Sequence, residues 1–392
     1  MVMYGILKEM GDSMVNINEK KTGIQVSELG FISENIIRLD QHFQGLIDKK
    51  ILQCAGYLLS KDGKIFAHKS MGYLRTNDKK KEMMPDSIRR IASITKLFTA
   101  TAIMQLVEKG LLRIDQTVRT ILEEFDHPLF ESVSIFHLLT HTSGLHPDPG
   151  AYFEPYPDTW DWYEKENWIE EILRGHTRVD PGKEWSYSSA CFIILGEIIR
   201  RISGIKYEQY VKENILDPLG MEDSFFYVPE DKISRICLTN DETEEDIRKW
   251  MKEYKSRPDG SPSGAGGGMF STLEDLNKYA NMILNNGEYN GNRILSRKSV
   301  ERMTRNQLDG VLDYCWENNG VERSYGLGFR VQKDFLLITP GTVSHEGAGL
   351  SALYIDRQEK LAYVMFGPLY KGVEWDDKAV FNPINIVWSG LI

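Results

Sequence analysis

At 392 residues the chain is long enough for a large buried core and two lobes. Its 41% hydrophobic and 27% charged content is that of a folded globular protein. A formal net charge of −10, with no basic tract, excludes nucleic acid as the main partner.

No apolar run reaches the roughly 20 residues a membrane-spanning helix needs. Met1 to Gln25 lack the charged, apolar and small-residue regions of a secretory leader, so a cytoplasmic protein is expected unless a leader has been removed. Cys54, Cys191, Cys237 and Cys315 form no Cys-x-x-Cys pair and read as free buried thiols.

Residues 1–31 are a poorly periodic lead-in. Ile36, Ile37, Leu39, Phe43 and Leu46 give residues 33–49 a helical period. Residues 54–59 and 64–68 read as strands, with Lys61-Asp62-Gly63 as the hairpin signal. A helix from Ser93 follows, apolar almost all round and stopped at Gly110. Residues 111–319 read as a mainly helical lobe, with helices at 133–141, 164–174, 189–203, 206–215 and 272–286. Ser271-Thr272-Leu273-Glu274 is a capping-box start for the last. Strands return at 326–331, 335–339, 350–355 and 361–366, and residues 376–392 close as a helix containing Pro383. Strands at both ends predict a sheet lobe built from 32–110 and 320–392, with the helical lobe inserted and a site in the cleft between them.

The chemistry is concentrated in three segments. Arg90-Ile91-Ala92-Ser93-Ile94-Thr95-Lys96 places a hydroxyl and an amine at i and i+3, on one helical face. Burial lowers a lysine's pKa and leaves a neutral amine that can take the serine proton. Ser93 also sits where a helix would begin, beside free backbone N–H groups. Trp185-Ser186-Tyr187-Ser188-Ser189 supplies a phenol; beside an ammonium it would ionise more easily, accept the serine proton and pass it to the leaving group. Ser344-His345-Glu346-Gly347-Ala348-Gly349 precedes an apolar strand and alone reads as a glycine-rich loop. A strand edge there could offer a second oxyanion donor.

In this order and at these separations the segments resemble the family of class C β-lactamases, related esterases and DD-peptidases, the penicillin-recognising serine hydrolases. Leu138-Leu139-Thr140-His141-Thr142-Ser143-Gly144-Leu145, Pro218-Leu219-Gly220-Met221 and Gly266-Gly267-Gly268-Met269-Phe270-Ser271-Thr272 resemble further segments of that family. The resemblance runs from about residue 32 to 370. It implies a β-lactamase/transpeptidase-like α/β (α+β) fold: a five-stranded, largely antiparallel sheet flanked by helices, plus a mainly helical lobe. It also implies an acyl-enzyme on Ser93, with base work shared by Lys96 and Tyr187. His345 and Gly347 match the third motif in its His-x-Gly form, and His345 is counted with the catalytic side chains. Backbone N–H groups of Ser93 and Ala348 would form the oxyanion hole. Ser189 holds the place of the family's substrate-binding Asn. No metal or organic cofactor is implied.

Two departures bear on substrate. Ser189 lacks the amide of Asn. Glu346 stands where the family often has Thr, and a carboxylate there would repel a substrate carboxylate, unless it points away from the pocket. The expected substrate is therefore a small ester, amide, lactone or peptide with a free amine. The alternatives are a β-lactamase or D-Ala-D-Ala carboxypeptidase, and a low-turnover penicillin-binding or sensor protein.

His137 and His141, at i and i+4 with His146 nearby, show no convincing third metal ligand, and His141 reads as a structural residue of its turn. The aromatics Tyr152, Phe153, Tyr156, Trp160, Trp162, Tyr163 and Trp168 are packing or a cleft wall; on the second reading Trp160 and Trp162 join Gly347 as substrate contacts. Residues 241–246 read as a solvated acidic segment. The chain has no Gly-x-Ser-x-Gly elbow to support an α/β-hydrolase.

Overall fold

Strands with apolar residues at both odd and even positions need cover on both faces. The central sheet is made of such strands. The structure, a computed structural model, describes residues 17–76, 81–149, 151, 163–174, 179–333, 336–370 and 377–392. Strands β1 (Ile17–Glu19), β2 (Cys54–Lys61) and β3 (Lys64–Gly72) come from the N-terminal part. Strands β4 (Arg330–Val331), β5 (Val343–Gly347), β6 (Ser351–Asp356) and β7 (Leu361–Phe366) come from the C-terminal part. They lie in the order β1-β3-β2-β7-β6-β5-β4, and every neighbouring pair is antiparallel. The β2–β3 turn has Asp62 and Gly63 both left-handed, at φ 50° and 76°, as a two-residue type I′ hairpin requires.

Five helices frame the site: α1 (Ser33–Asp48), α2 (Thr95–Glu108), α3 (Ser189–Ser203), α4 (Leu273–Leu284) and α5 (Asp377–Trp388). Leu58, Leu353, Val364 and Phe366 put one sheet face into a core shared with α2, α3 and α4. Tyr57, Leu59, Tyr354 and Tyr363 put the other face against α1 and α5. Helix α4 packs directly on the sheet, where the Ser60 hydroxyl donates to Asn277 Oδ1 at 2.6 Å. Helix α2 is the buried axis: Lys96 to Leu106 are buried without a break.

Several sequence expectations shift. The five-stranded sheet gains two short edge strands, β1 and β4. The segment around His345 is strand β5 rather than a loop, paired with β6 from Val343↔Ile355 to Gly347↔Ser351. The expected strand at 335–339 falls partly outside the described residues; residues 336–338 form a bend, and Leu336 and Ile338 pack against the second core. The cap of α4 is Thr272, whose side chain accepts from Asp275 N, one residue later than the Ser271 box. Residues 241–246 are not merely a solvated run. Thr243 and Asp246 form a capping box that starts a helix, Glu244–Lys255, and Glu244 pairs with Arg75 and Lys81. A helix at Arg297–Thr304 was not anticipated. Among the described residues no helix is long and apolar enough to cross a membrane.

Candidate active site

The turn that carries Ser93 is backbone-strained. Ala92 is left-handed at φ 45°, a conformation that costs a non-glycine residue on the order of 1–3 kcal/mol and persists where the surroundings enforce it. A 3-10 turn, Ala92–Ile94, carries Ser93 into α2, so the α-helix proper begins two residues later than the sequence pattern predicts. Thr95 fastens the turn: its hydroxyl donates to Ala92 O at 2.6 Å and accepts from Met269 N at 3.2 Å.

Lys96 and Ser93 do share a face. Lys96 Nζ lies 3.2 Å from Ser93 Oγ, 3.0 Å from Ser189 Oγ and 2.7 Å from Gly266 O. The amine is fully buried and also sits 4.8 Å from the centre of the Tyr187 ring. Burial pulls its pKa down to about 8, against the opposing pull of Asp148, which favours the ammonium. The glycines at 266–268 let this 3-10 turn pass close by: a Cβ at Gly266 would stand 3.2 Å from Ser189 O, and one at Gly268 would stand 2.8 Å from Gly264 Cα.

Tyr187 is held by its neighbours along the chain. His141 O accepts from Ser186 N at 2.8 Å, and His141 Nδ1 accepts from Ser188 N at 3.1 Å. The His141 ring packs 4.5 Å from that of Tyr187. Burial lowers the pKa of His141 well below the ordinary value, so it is a neutral structural imidazole. Burial first and Asp148 second push the pKa of the Tyr187 phenol well above its ordinary value, against a smaller pull from the Ser93 hydroxyl, which favours the ionised form. That reverses the sequence argument, in which the nearby amine made the phenol easier to ionise. Tyr187 is a protonated phenol at neutral pH.

Strand β5 brings up the third side of the site. Alternation puts His345 and Gly347 on the face towards Ser93 and Ser344 and Glu346 on the other. Gly347 packs against the turn that carries Ser93, because an added Cβ would stand 2.2 Å from Ile91 O and 2.5 Å from Ser351 Oγ. His345 is buried, and burial together with Lys96 pulls its pKa down to about 4. Its Nδ1 lies 2.7 Å from Glu346 O. A carbonyl only accepts, so Nδ1 carries the hydrogen and Nε2 is the bare nitrogen. The Glu346 carboxylate accepts from the Tyr354 hydroxyl at 2.7 Å and lies 3.7 Å from Arg330, so its charge is already answered by these two partners.

Ser93, Tyr187, His345, Glu346, Gly347 and Ala348 line one cleft of 670 Å³. Asp148, Trp316 and Phe381 are among the lining residues that the sequence pattern does not mark. Asp148 accepts from Ser189 N at 2.5 Å through Oδ1 and from Ser189 Oγ at 2.6 Å through Oδ2. Trp316 is half exposed, left-handed at φ 50°, and packs 5.4 Å from the Tyr187 ring. Phe381 of α5 lines the same cleft. Trp160 and Trp162, the sequence candidates for its wall, lie outside the described residues. Trp168 is buried packing that donates to Gly260 O at 2.8 Å. His137 Nδ1 accepts from Ser134 N as part of a helix cap, and among the described residues no three His, Cys, Asp or Glu side chains gather as a metal-binding group.

A serine hydroxyl against a buried lysine of lowered pKa, with a phenol beside it, is the equipment of serine-based acyl transfer. The sequence model described as Beta-lactamase matches residues 39–372, and the chain belongs to that family, whose members are hydrolases. It is 30% identical over 319 residues to Protein Rv1367c of Mycobacterium tuberculosis, covering 73% of this chain and 77% of that one. It is 25% identical over 407 residues to a putative D-alanyl-D-alanine carboxypeptidase of Salmonella heidelberg, covering 93% and 89%. The solved structure of EstCE1, a hydrolase with promiscuous acyltransferase activity, shares the fold with a TM-score of 0.74 at 19% identity, over 90% of this chain and 98% of that one.

Proposed function

We propose that the chain is a serine hydrolase that acylates Ser93 and releases the acyl group to water, acting on a small neutral ester or amide. The observation that carries this reading is the Lys96 amine, buried, 3.2 Å from Ser93 Oγ and with its pKa lowered to about 8. Neutral Lys96 takes the Ser93 proton as Oγ attacks the substrate carbonyl. Backbone N–H groups of Ser93 and Ala348 receive the oxyanion. Protonated Tyr187 gives its proton to the leaving alcohol or amine and regains one from the Lys96 ammonium. Water then attacks the acyl-enzyme by the same route in reverse, restoring Ser93.

The charge of the cleft supports a neutral substrate. Among the described lining residues, Arg323 is engaged by Asp313 at 3.1 Å and Arg330 by Glu346 at 3.7 Å, while Asp148 is the acidic group beside Lys96. A substrate carboxylate would have to displace one of those partners. The carboxypeptidase reading draws on the name of the Salmonella relative, and Arg330, the more loosely paired arginine, is where its substrate carboxylate would bind.

The test combines intact-mass spectrometry with turnover, using a fluorophosphonate, a penicillin and an activated short-chain ester. A fluorophosphonate adduct on Ser93 with rapid ester hydrolysis is the expected result. Penicillin turnover would move the assignment to a β-lactamase, and a long-lived penicillin adduct to a low-turnover binder.

A further inference from the structure

We infer that Asp148 is a positioning residue for acylation: by fixing the direction of the Ser189 hydroxyl, it turns the Lys96 lone pair onto Ser93. This rests on the acyl-enzyme reading above.

The hydrogens around Lys96 Nζ fix the direction of each bond. Three polar atoms surround Lys96 Nζ: Gly266 O at 2.7 Å, Ser189 Oγ at 3.0 Å and Ser93 Oγ at 3.2 Å. A neutral amine brings two hydrogens and one lone pair. Gly266 O only accepts, so it takes one hydrogen. Ser189 is the undecided partner, since a hydroxyl both donates and accepts. Asp148 decides it. Oδ1 of Asp148 is taken by Ser189 N, and Oδ2 stands 2.6 Å from Ser189 Oγ. A carboxylate only accepts, so the Ser189 hydrogen goes to Asp148 and Ser189 Oγ must accept the second Lys96 hydrogen. The lone pair is left for Ser93.

Without Asp148 the Ser189 hydroxyl is free to donate into the Lys96 lone pair and compete with Ser93. Serine in the place of the family's Asn is then no simple loss. Asp148 and Ser189 act as a pair, joined by two hydrogen bonds across 41 residues of chain.

Asp148→Asn tests this with almost no change of shape. The single amide oxygen must face Ser189 N, so the NH2 faces Ser189 Oγ, donates to it and sends the hydroxyl hydrogen towards Lys96. Asp148 also favours the ammonium of Lys96, so removing its charge moves the acid limb of the pH profile to lower pH. The other groups facing Lys96 (Tyr187, His141, His345 and Cys191) are unchanged. The orientation effect is therefore read on the plateau above that limb.

Fluorophosphonate labelling rates between pH 6 and 10, and kcat and KM for an activated acetyl ester, would be measured for wild type, Asp148→Asn, Ser189→Ala and the double variant, with melting temperatures to certify folding. Asp148→Asn is expected to lower the plateau at least about tenfold, towards the low end of general-base contributions, with KM within about twofold. On the Ser189→Ala background the same change is expected to move the plateau less than about twofold. A wild-type plateau in Asp148→Asn, an equal loss on both backgrounds, or a loss confined to KM would overturn the inference. Should Asp148→Asn not fold, Ser189→Thr, which keeps the hydroxyl, must label faster than Ser189→Ala; equal rates overturn it. A wild-type protein that takes no label at all refutes the acyl-enzyme reading instead.

Discussion

The acylation rate should follow the titration of Lys96. With a pKa of about 8, about 9% of the amine is neutral at pH 7 and about 91% at pH 9, a roughly tenfold rise. A lysine at the ordinary value of 10.5 would be only about 0.03% neutral at pH 7, so burial raises the population of usable base about 300-fold. The sign follows from which form reacts: the base is the deprotonated amine, so activity is lost as pH falls through 8. No other titration in the site competes for that limb, because His345 sits at about 4, Cys191 at about 11, and burial holds Tyr187 above its usual range. The assay is the second-order rate of fluorophosphonate labelling between pH 6 and 10, which avoids alkaline hydrolysis of an ester. Lys96→Ala should lower the plateau by about 10²–10⁴-fold and remove the limb. A profile that is flat from pH 6 to 9, or a limb near 8 that survives in Lys96→Ala, would refute the assignment of Lys96 as base.

Three further outcomes are expected. Tyr187→Phe keeps the ring packing and removes the proton donor, so ester turnover should fall at least about 10²-fold with little change in melting temperature; unchanged turnover would make Tyr187 a packing residue. Gly347→Ala forces a methyl against Ile91 O and should cost about 1–3 kcal/mol in denaturant titration while slowing acylation, since strand and nucleophile turn must part. Trp316→Ala should raise KM for aryl-acyl esters by about tenfold and leave acetyl esters nearly unchanged; equal effects on both would remove Trp316 from the acyl-binding wall.

Long apolar elements were legible because burial on both faces writes itself as continuous apolar sequence. Helix α3 begins and ends where its pattern says, and β7 likewise. Strand β5 was hidden because its Ser-His-Glu-Gly run is polar, with His345 and Gly347 turned towards Ser93. Residues 336–338 misled in the opposite way: Leu336 and Ile338 are apolar because they cover the core beside α5, not because they pair. In the site, Ser93, Lys96 and Tyr187 could be picked out because motif spacing ties them together. Asp148 lies in a Pro-flanked loop with no period, and its meaning appears only beside Ser189. Trp316 is marked by a left-handed backbone, which no composition reveals. The Glu346 carboxylate needed the register of β5 against β6 to show which face it takes.

The central claim is a covalent acyl-enzyme on one serine. Intact-mass spectrometry of wild type and Ser93→Ala after fluorophosphonate treatment, followed by peptide mapping, tests it most directly. One adduct per wild-type chain, mapped to Ser93, and none on a folded Ser93→Ala protein is the expected result. An adduct that persists in Ser93→Ala, or a folded wild-type chain that takes none, would contradict it.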